Sequence, residues 1–299
     1  MFQGVYTAII TPFQKGRVDE KKLEELVVLQ VEAGVQGVMA GGTTGESLFL
    51  TAEEQMRIFE ICADVCKGKA QLIASTGTLS AENTISLTHQ AQKAGANAAI
   101  VITPWYVKPS QESLYHYYKE VSEGVKLPFI IYNNPTRTGV DISYETLVKL
   151  MTFKNIQGYK DSSSCLQRTS KLKCQLEDRL SLLAGNDDPF AAYLGMGGDG
   201  GILTAANLVP GIFVTLMTAW TEGDLPLFKI TWKKVFPLLS ALALETNPAP
   251  IKYAMRLVRG VSEEMRLPFS LVQPSTQRAI EDALEGLGLW ERLDAVRGQ

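Results

Sequence analysis

The chain has 299 residues, 29 of them basic and 32 acidic, for a formal charge of −3. This near-balance leaves no basic footprint for nucleic acid or anionic membranes. Hydrophobic residues at 45% and charged residues at 20% make an ordinary globular mixture, and no apolar run approaches the roughly 20 residues that span a bilayer. From the amino terminus onward, short apolar runs alternate with helical patterns. In order, the runs are VYTAIITPF, GVMAGGTTGE, QLIAST, AAIVITPWY, PFIIYNNP, IQGYKDSS, LSLLAGND and GGILTAAN. Each is rich in Val, Ile, Leu or Ala and closes on Gly, Pro, Thr, Ser or Asn, as strands buried on both faces do. Between them, DEKKLEELVVLQVEAG carries apolar residues at helical spacing with a glycine after the last turn. TAEEQMRIFEICADVCKG opens with Thr51 and Glu54 at capping-box spacing, and PSQESLYHYYKEVSEG opens on Pro109 and Ser110, which suit a helix start.

Eight alternations predict an α/β fold, a closed (β/α)8 TIM barrel over residues 1–207. A doubly wound open sheet would need an edge strand or a long connection, and neither shows. Residues 208–299 read as helices only, a C-terminal appendage packed on the barrel with no Gly/Ser-rich linker. The first residues, MFQGVYTAIITPF, put no basic residue before their short apolar run, unlike a signal peptide. The four cysteines lack zinc-ligand spacing and fit buried, reduced thiols, so the expected location is cytoplasmic.

Histidine is scarce: His89 and His116 are the only two, and both fall in helical patterns. A histidine-based triad or metal site would have to use one of them, so the expected chemistry rests on lysine, tyrosine or carboxylates, with no metal. In a (β/α)8 barrel the carboxyl ends of the strands converge on one mouth. Those ends hold Thr43 and Thr44, Trp105 and Tyr106, Tyr132, Arg137 in the following loop, Lys160, and Gly185. A lysine at a strand's inner end can be paired with its neighbour or can snorkel to solvent. Alternatively, a desolvated lysine amine attacks a carbonyl and forms a Schiff base, whose iminium draws electrons from the next carbon. A tyrosine is a usable proton carrier in a hydrogen-bonded relay, and a threonine hydroxyl can link two of them. Taken singly, each tyrosine also fits an ordinary packing role. GGTTGE offers backbone amides for a carboxylate or serves as a tight turn, and Arg137 offers a planar fork for a carboxylate or lies on the surface.

In combination, GGTTGES, TPWY, YNNPTRTG, GYKDSS, LLAGND and NPAPIKYA resemble dihydrodipicolinate synthase, within the pyruvate-dependent class I aldolases that include N-acetylneuraminate lyase. The resemblance runs along essentially the whole chain. It implies a Schiff base between Lys160 and pyruvate, with no other cofactor, and a proton relay of Tyr132, Thr43 and Tyr106. Thr44 would hold the pyruvate carboxylate, Arg137 that of aspartate semialdehyde, and Gly185 and Ile202 would line the site. Tyr106 would enter a neighbouring subunit, so a homodimer or homotetramer is expected, with small-molecule substrates and neither nucleic acid nor membrane as partner. The implied activity is condensation of pyruvate with aspartate semialdehyde. The alternative is a pyruvate-releasing aldolase or dehydratase acting on a 2-keto-3-deoxy sugar acid or sialic acid. Arg137 favours the former, whereas Asp161-Ser162 and Tyr159 depart from many synthases. For feedback by lysine, Leu79, Asn83, Ala52, Gln55 and Trp105 replace the side chains of sensitive relatives, so weak or absent inhibition is expected.

Overall fold

The computed structural model describes residues 1–163, 165–176 and 179–289. Ser164, the last serine of the GYKDSSS loop, and residues 290–299 of the expected helical region lie outside the described residues. Eight parallel strands form the barrel: β1 (Gly4–Ala8), β2 (Gly37–Ala40), β3 (Gln71–Ser75), β4 (Ala98–Ile102), β5 (Phe129–Asn133), β6 (Ile156–Asp161), β7 (Ser181–Ala184) and β8 (Gly200–Leu203). Each pairs with the next, and β1 closes the ring between β2 and β8, so the barrel itself has no open edge. A small hairpin, Phe13–Gln14 with Arg17–Val18, follows β1.

The two-residue period of a strand divides its apolar side chains between two layers. Inside the ring Tyr6, Met39, Ile73, Ile100, Ile130, Tyr132, Leu183 and Ile202 pack into one cluster. Their sequence neighbours, such as Val38, Leu72, Val101, Ile131 and Leu182, point outward to a second cluster shared with the helices. This double burial is why the strands read as continuous apolar runs.

The connecting helices are α1 (Glu20–Glu32), α2 (Ala52–Cys66), α3 (Ala81–Lys93), α4 (Gln111–Gly124), the single turn α5 (Pro135–Thr138), α6 (Tyr144–Leu150), α7 (Leu166–Leu176), α8 (Phe190–Gly195) and α9 (Pro210–Glu222). The reciprocal capping box at Thr51 and Glu54 is present, and Ser110 caps α4 by accepting from the Ser113 amide. Helix α9 packs on β1, the place of the eighth barrel helix. Beyond it come α10 (Leu225–Leu242), α11 (Ala249–Arg259) and α12 (Pro274–Gly286). Helix α11 is buried on nearly every face, from Ala249 to Val258. Among the described residues no helix is long and apolar enough to cross a membrane. Cys62 and Cys66 are buried, whereas Cys165 and Cys174 are exposed, against the expectation that all four would be interior; all four are free.

Candidate active site

Strands β5 and β6 run in register so that Tyr132 lies beside Lys160 and Asn133 beside Asp161. Alternation then sends the first pair into the barrel and the second toward the helices. Lys160 is 4% exposed, and its Nζ lies 4.2 Å from the centre of the Tyr132 ring. On the outward side, Asn133 Nδ2 donates to Asp161 Oδ1 at 3.0 Å and to Asp141 Oδ1 at 2.8 Å. Arg168 of α7 grips both Asp141 oxygens, at 2.7 and 2.6 Å, and donates to the Tyr159 hydroxyl at 2.9 Å. Tyr159, unexpected at its position, is thus the buried rim of a polar brace. Hydrogen bonds to charged groups contribute about 1.5–3 kcal/mol each, enough to fix the register of the two strand ends that carry Tyr132 and Lys160.

Tyr132 is 8% exposed and its oxygen accepts from Asn134 Nδ2 at 2.8 Å. Burial pushes the phenol up, but the charge of Lys160, the Ser162 and Asn134 side chains and the more distant Arg137 together outweigh it, leaving the phenol below its ordinary value. Two adjoining cavities open at the mouth, of about 270 Å³ and about 430 Å³. Lys160, Gly185, Thr44 and Thr204 line the first, and Trp105, Phe49 and Ser75 line the second. Met39, Thr43, Tyr132 and Arg137 line both and form the wall between them.

The structure therefore brings Lys160, Tyr132, Thr43, Thr44, Arg137 and Gly185 to one place. It does not bring Tyr106 there: β4 stops at Ile102, and Tyr106 lies in the loop beyond, 87% exposed, with φ 69°. A left-handed backbone is rare for a residue with a large side chain, and Tyr106 lines neither of its own chain's two cavities. Ile202 is 1% exposed and belongs to the interior cluster rather than to a cavity wall. No hydrogen bond joins the Thr43 hydroxyl to the Tyr132 phenol among the described residues. Gly185 has a definite reason to be glycine, because a Cβ there would stand 2.1 Å from Ser162 Oγ and 2.8 Å from the Asp161 carbonyl oxygen.

Several residues of the site escape sequence reasoning. Asn247 Nδ2 donates to Thr44 Oγ1 at 3.0 Å, and Thr44 and Thr204 hydroxyls meet at 3.3 Å. The exposed Arg137 donates from its guanidinium to the Asn247 carbonyl at 3.1 Å. Asp187 accepts from the Thr204 and Ala205 amides, at 2.9 and 3.1 Å. Burial pushes its carboxyl up to about 6 against the pull of those amides and of Lys160. Deeper in, Lys252 of α11 is fully buried, pairs with Glu46 of the GTTGES loop and donates to the Glu264 carbonyl at 2.8 Å. The other Glu46 oxygen accepts from the Arg266 amide at 3.0 Å, and the Arg266 side chain clasps Glu54. Burial lowers the Lys252 pKa despite Glu46. The loop that carries Thr43 and Thr44 is thereby tied to the C-terminal helices. NPAPIKYA held the signal for Asn247 and Lys252, but partners about 200 residues away cannot be read from local spacing.

A closed eight-stranded barrel with a buried lysine and tyrosine side by side at its carboxyl mouth is the architecture of a (β/α)8 lyase. The chain belongs to the dihydrodipicolinate synthetase family, whose model matches residues 1–287. It is 40% identical over 289 residues to the 4-hydroxy-tetrahydrodipicolinate synthase of Rhodospirillum centenum, covering 97% of this chain and 99% of that one. The dihydrodipicolinate synthase structure from Thermotoga maritima superposes with a TM-score of 0.93 at 37% identity, over 97% of this chain and 99% of that one. A dihydrodipicolinate synthase from Acinetobacter baumannii, complexed with pyruvate, superposes with a TM-score of 0.93 at 35% identity, over 97% and 100% of the two chains.

Proposed function

We propose that this chain condenses pyruvate with L-aspartate 4-semialdehyde to give 4-hydroxy-tetrahydrodipicolinate, the entry to lysine and diaminopimelate biosynthesis. The observation that carries the reading is Lys160, buried beside Tyr132 in a cavity that Arg137 also lines. The Lys160 amine attacks the pyruvate carbonyl, and loss of water leaves an iminium. Tyr132 takes a proton from the adjacent methyl, and the electrons of that C–H bond move into the enamine. The enamine carbon then attacks the aldehyde, whose oxygen takes up a proton. Attack by the amino group of the second substrate on the iminium carbon closes the ring and releases Lys160. The covalent Schiff base does the work a cofactor would otherwise do.

Thr44 and the amides of its loop hold the pyruvate carboxylate, Gly185 bounds the reacting centre with Ile202 in the packed interior behind the cavity wall, and Arg137 receives the carboxylate of the semialdehyde. The exposed Tyr106 fits a second copy of the chain, where it completes the relay of Tyr132 and Thr43 in the neighbour. The active form is then a homodimer or a homotetramer. Free cysteines suit a cytoplasmic location. The synthase names of the similar proteins favour this reaction over release of pyruvate from a keto-sugar acid.

Borohydride reduction in the presence of pyruvate should add a pyruvyl mass to Lys160, and Lys160→Ala should abolish the label. Purified protein should consume both substrates when coupled to reduction of the product. Cleavage of a keto-sugar acid without turnover of aspartate semialdehyde would overturn the assignment. Dilution to monomers should remove activity before it removes the fold.

A further inference from the structure

Two buried polar side chains on the strand ends around Tyr132, Asn134 and Ser162, are left over by the steps above. Asn134, 6% exposed, donates to the Tyr132 oxygen at 2.8 Å. The bond occupies one side of the phenol oxygen, so the phenol's own proton must point elsewhere. Ser162, 5% exposed, continues β6 two residues past Lys160 on the same face as the Lys160–Tyr132 pair, its amide donating to the Asn133 carbonyl at 2.8 Å, and its buried Oγ has no hydrogen-bond partner among the described residues. A buried hydroxyl without a partner is uncommon in folded proteins and calls for a reason. The space that admits it exists because residue 185 has no Cβ.

We propose that Asn134 and Ser162 are positioning residues that seat the Tyr132 oxygen for proton transfer. Asn134 is the fixed donor. Ser162 is the adjustable one: its hydroxyl accepts from the phenol while Tyr132 is neutral and donates once Tyr132 is a phenolate. The inference rests on the reading that Tyr132 moves the proton at the pyruvate methyl. It gives a histidine-free site a tyrosine that can gain and lose a proton.

The charges that act on Tyr132 are Lys160 from β6 and Arg137 from α5, both favouring the phenolate. Asp187 and Glu245 line the first cavity and Glu46 the second, the last paired with Lys252. Donors that stabilise the phenolate lower the pH at which it forms. Removing one therefore moves that pH upward.

The test is exchange of pyruvate methyl hydrogens for deuterium in D₂O, which needs no second substrate. Lys160 forms the iminium with loss of water, the Tyr132 phenolate takes a proton from the methyl, a solvent deuteron returns to carbon, and hydrolysis frees the labelled pyruvate. In Ser162→Ala and in Asn134→Leu the midpoint of the pH–rate profile should rise by about one unit, the scale of one hydrogen bond to a charged oxygen. Borohydride trapping of pyruvate on Lys160 should persist in both. A slower exchange with an unmoved midpoint in both variants would show a merely structural role and overturn the proposal, as would an unchanged profile. Loss of trapping in both variants would also overturn it, since they would then serve Schiff-base formation itself. Failure of the unaltered protein to trap pyruvate at all would instead sink the reading on which the inference rests.

Discussion

Replacing Gly185 by alanine tests whether the end of β7 is built around the backbone of β6. The added carbon would stand 2.1 Å from Ser162 Oγ, 2.8 Å from the Asp161 oxygen and 3.0 Å from the Asp161 carbonyl carbon. Rotation of the serine relieves the first contact. The other two are with backbone, and the Gly185 amide itself donates to that same oxygen at 2.8 Å, so the strands cannot simply part. Asp161 must shift by several tenths of an ångström, carrying Lys160 with it. Overpacking of this kind costs about 1–3 kcal/mol, and a displacement near 1 Å at reacting groups costs roughly a hundredfold in rate. Gly185→Ala should therefore lower Tm, by about 2–4 °C for each kcal/mol lost. It should also slow Schiff-base formation roughly tenfold to a hundredfold, read as the rate of borohydride-trapped label on Lys160. Adding Ser162→Ala should restore only part of the rate, because the backbone contacts remain. Wild-type trapping and an unchanged Tm in Gly185→Ala would refute the steric argument.

Lys252→Met leaves Glu46 buried without its cation, and loss of one partner of a buried pair costs about 3–5 kcal/mol; denaturant unfolding should show that loss, and a change below about 1 kcal/mol would count against the pair. The Asp187 carboxyl is pushed up to about 6 by burial, so the folded form holds a proton that the unfolded form releases. Its contribution to stability is present at low pH and is lost as pH rises from about 4 through 6. Asp187→Asn should accordingly gain on the wild type between pH 4.5 and 7.5 in thermal scans, and a gap that moves the other way would contradict the sign. Millimolar lysine should inhibit weakly or not at all, since Leu79 and Asn83 offer no acid where sensitive relatives present one; half-maximal inhibition below 1 mM would point to Glu82 instead.

The barrel was legible because its strands are buried on both faces, and continuous apolar runs ending in Gly, Pro, Thr, Ser or Asn betray that directly. Lys160 stood out for the opposite reason, a charge at the inner end of such a run. Tyr132 and Gly185 followed from the rule that strand ends converge. The same rule overreached at TPWY, where the strand stops at Ile102 and the loop takes Tyr106 outward. Asn247, Thr204 and Asp187 stayed hidden because each acts through a partner on a different loop of the mouth. Tyr159 was visible as an oddity, but its reason, the Arg168 guanidinium, lies across a helix packed on the sheet. A polar side chain facing the helices is indistinguishable in sequence from a packing mistake until its partner is seen.

The pairing of Glu46 with Lys252 spans 206 residues, and Arg266 lies farther along still. During synthesis the barrel strands are complete once Leu203 has emerged, yet the loop bearing Thr43 and Thr44 still holds an uncompensated acid. A chain ending between residues 203 and 252 holds all eight barrel strands but lacks the partner of Glu46. The loop bearing Thr43 and Thr44 therefore gains the cation for its buried acid only when α11 has been made.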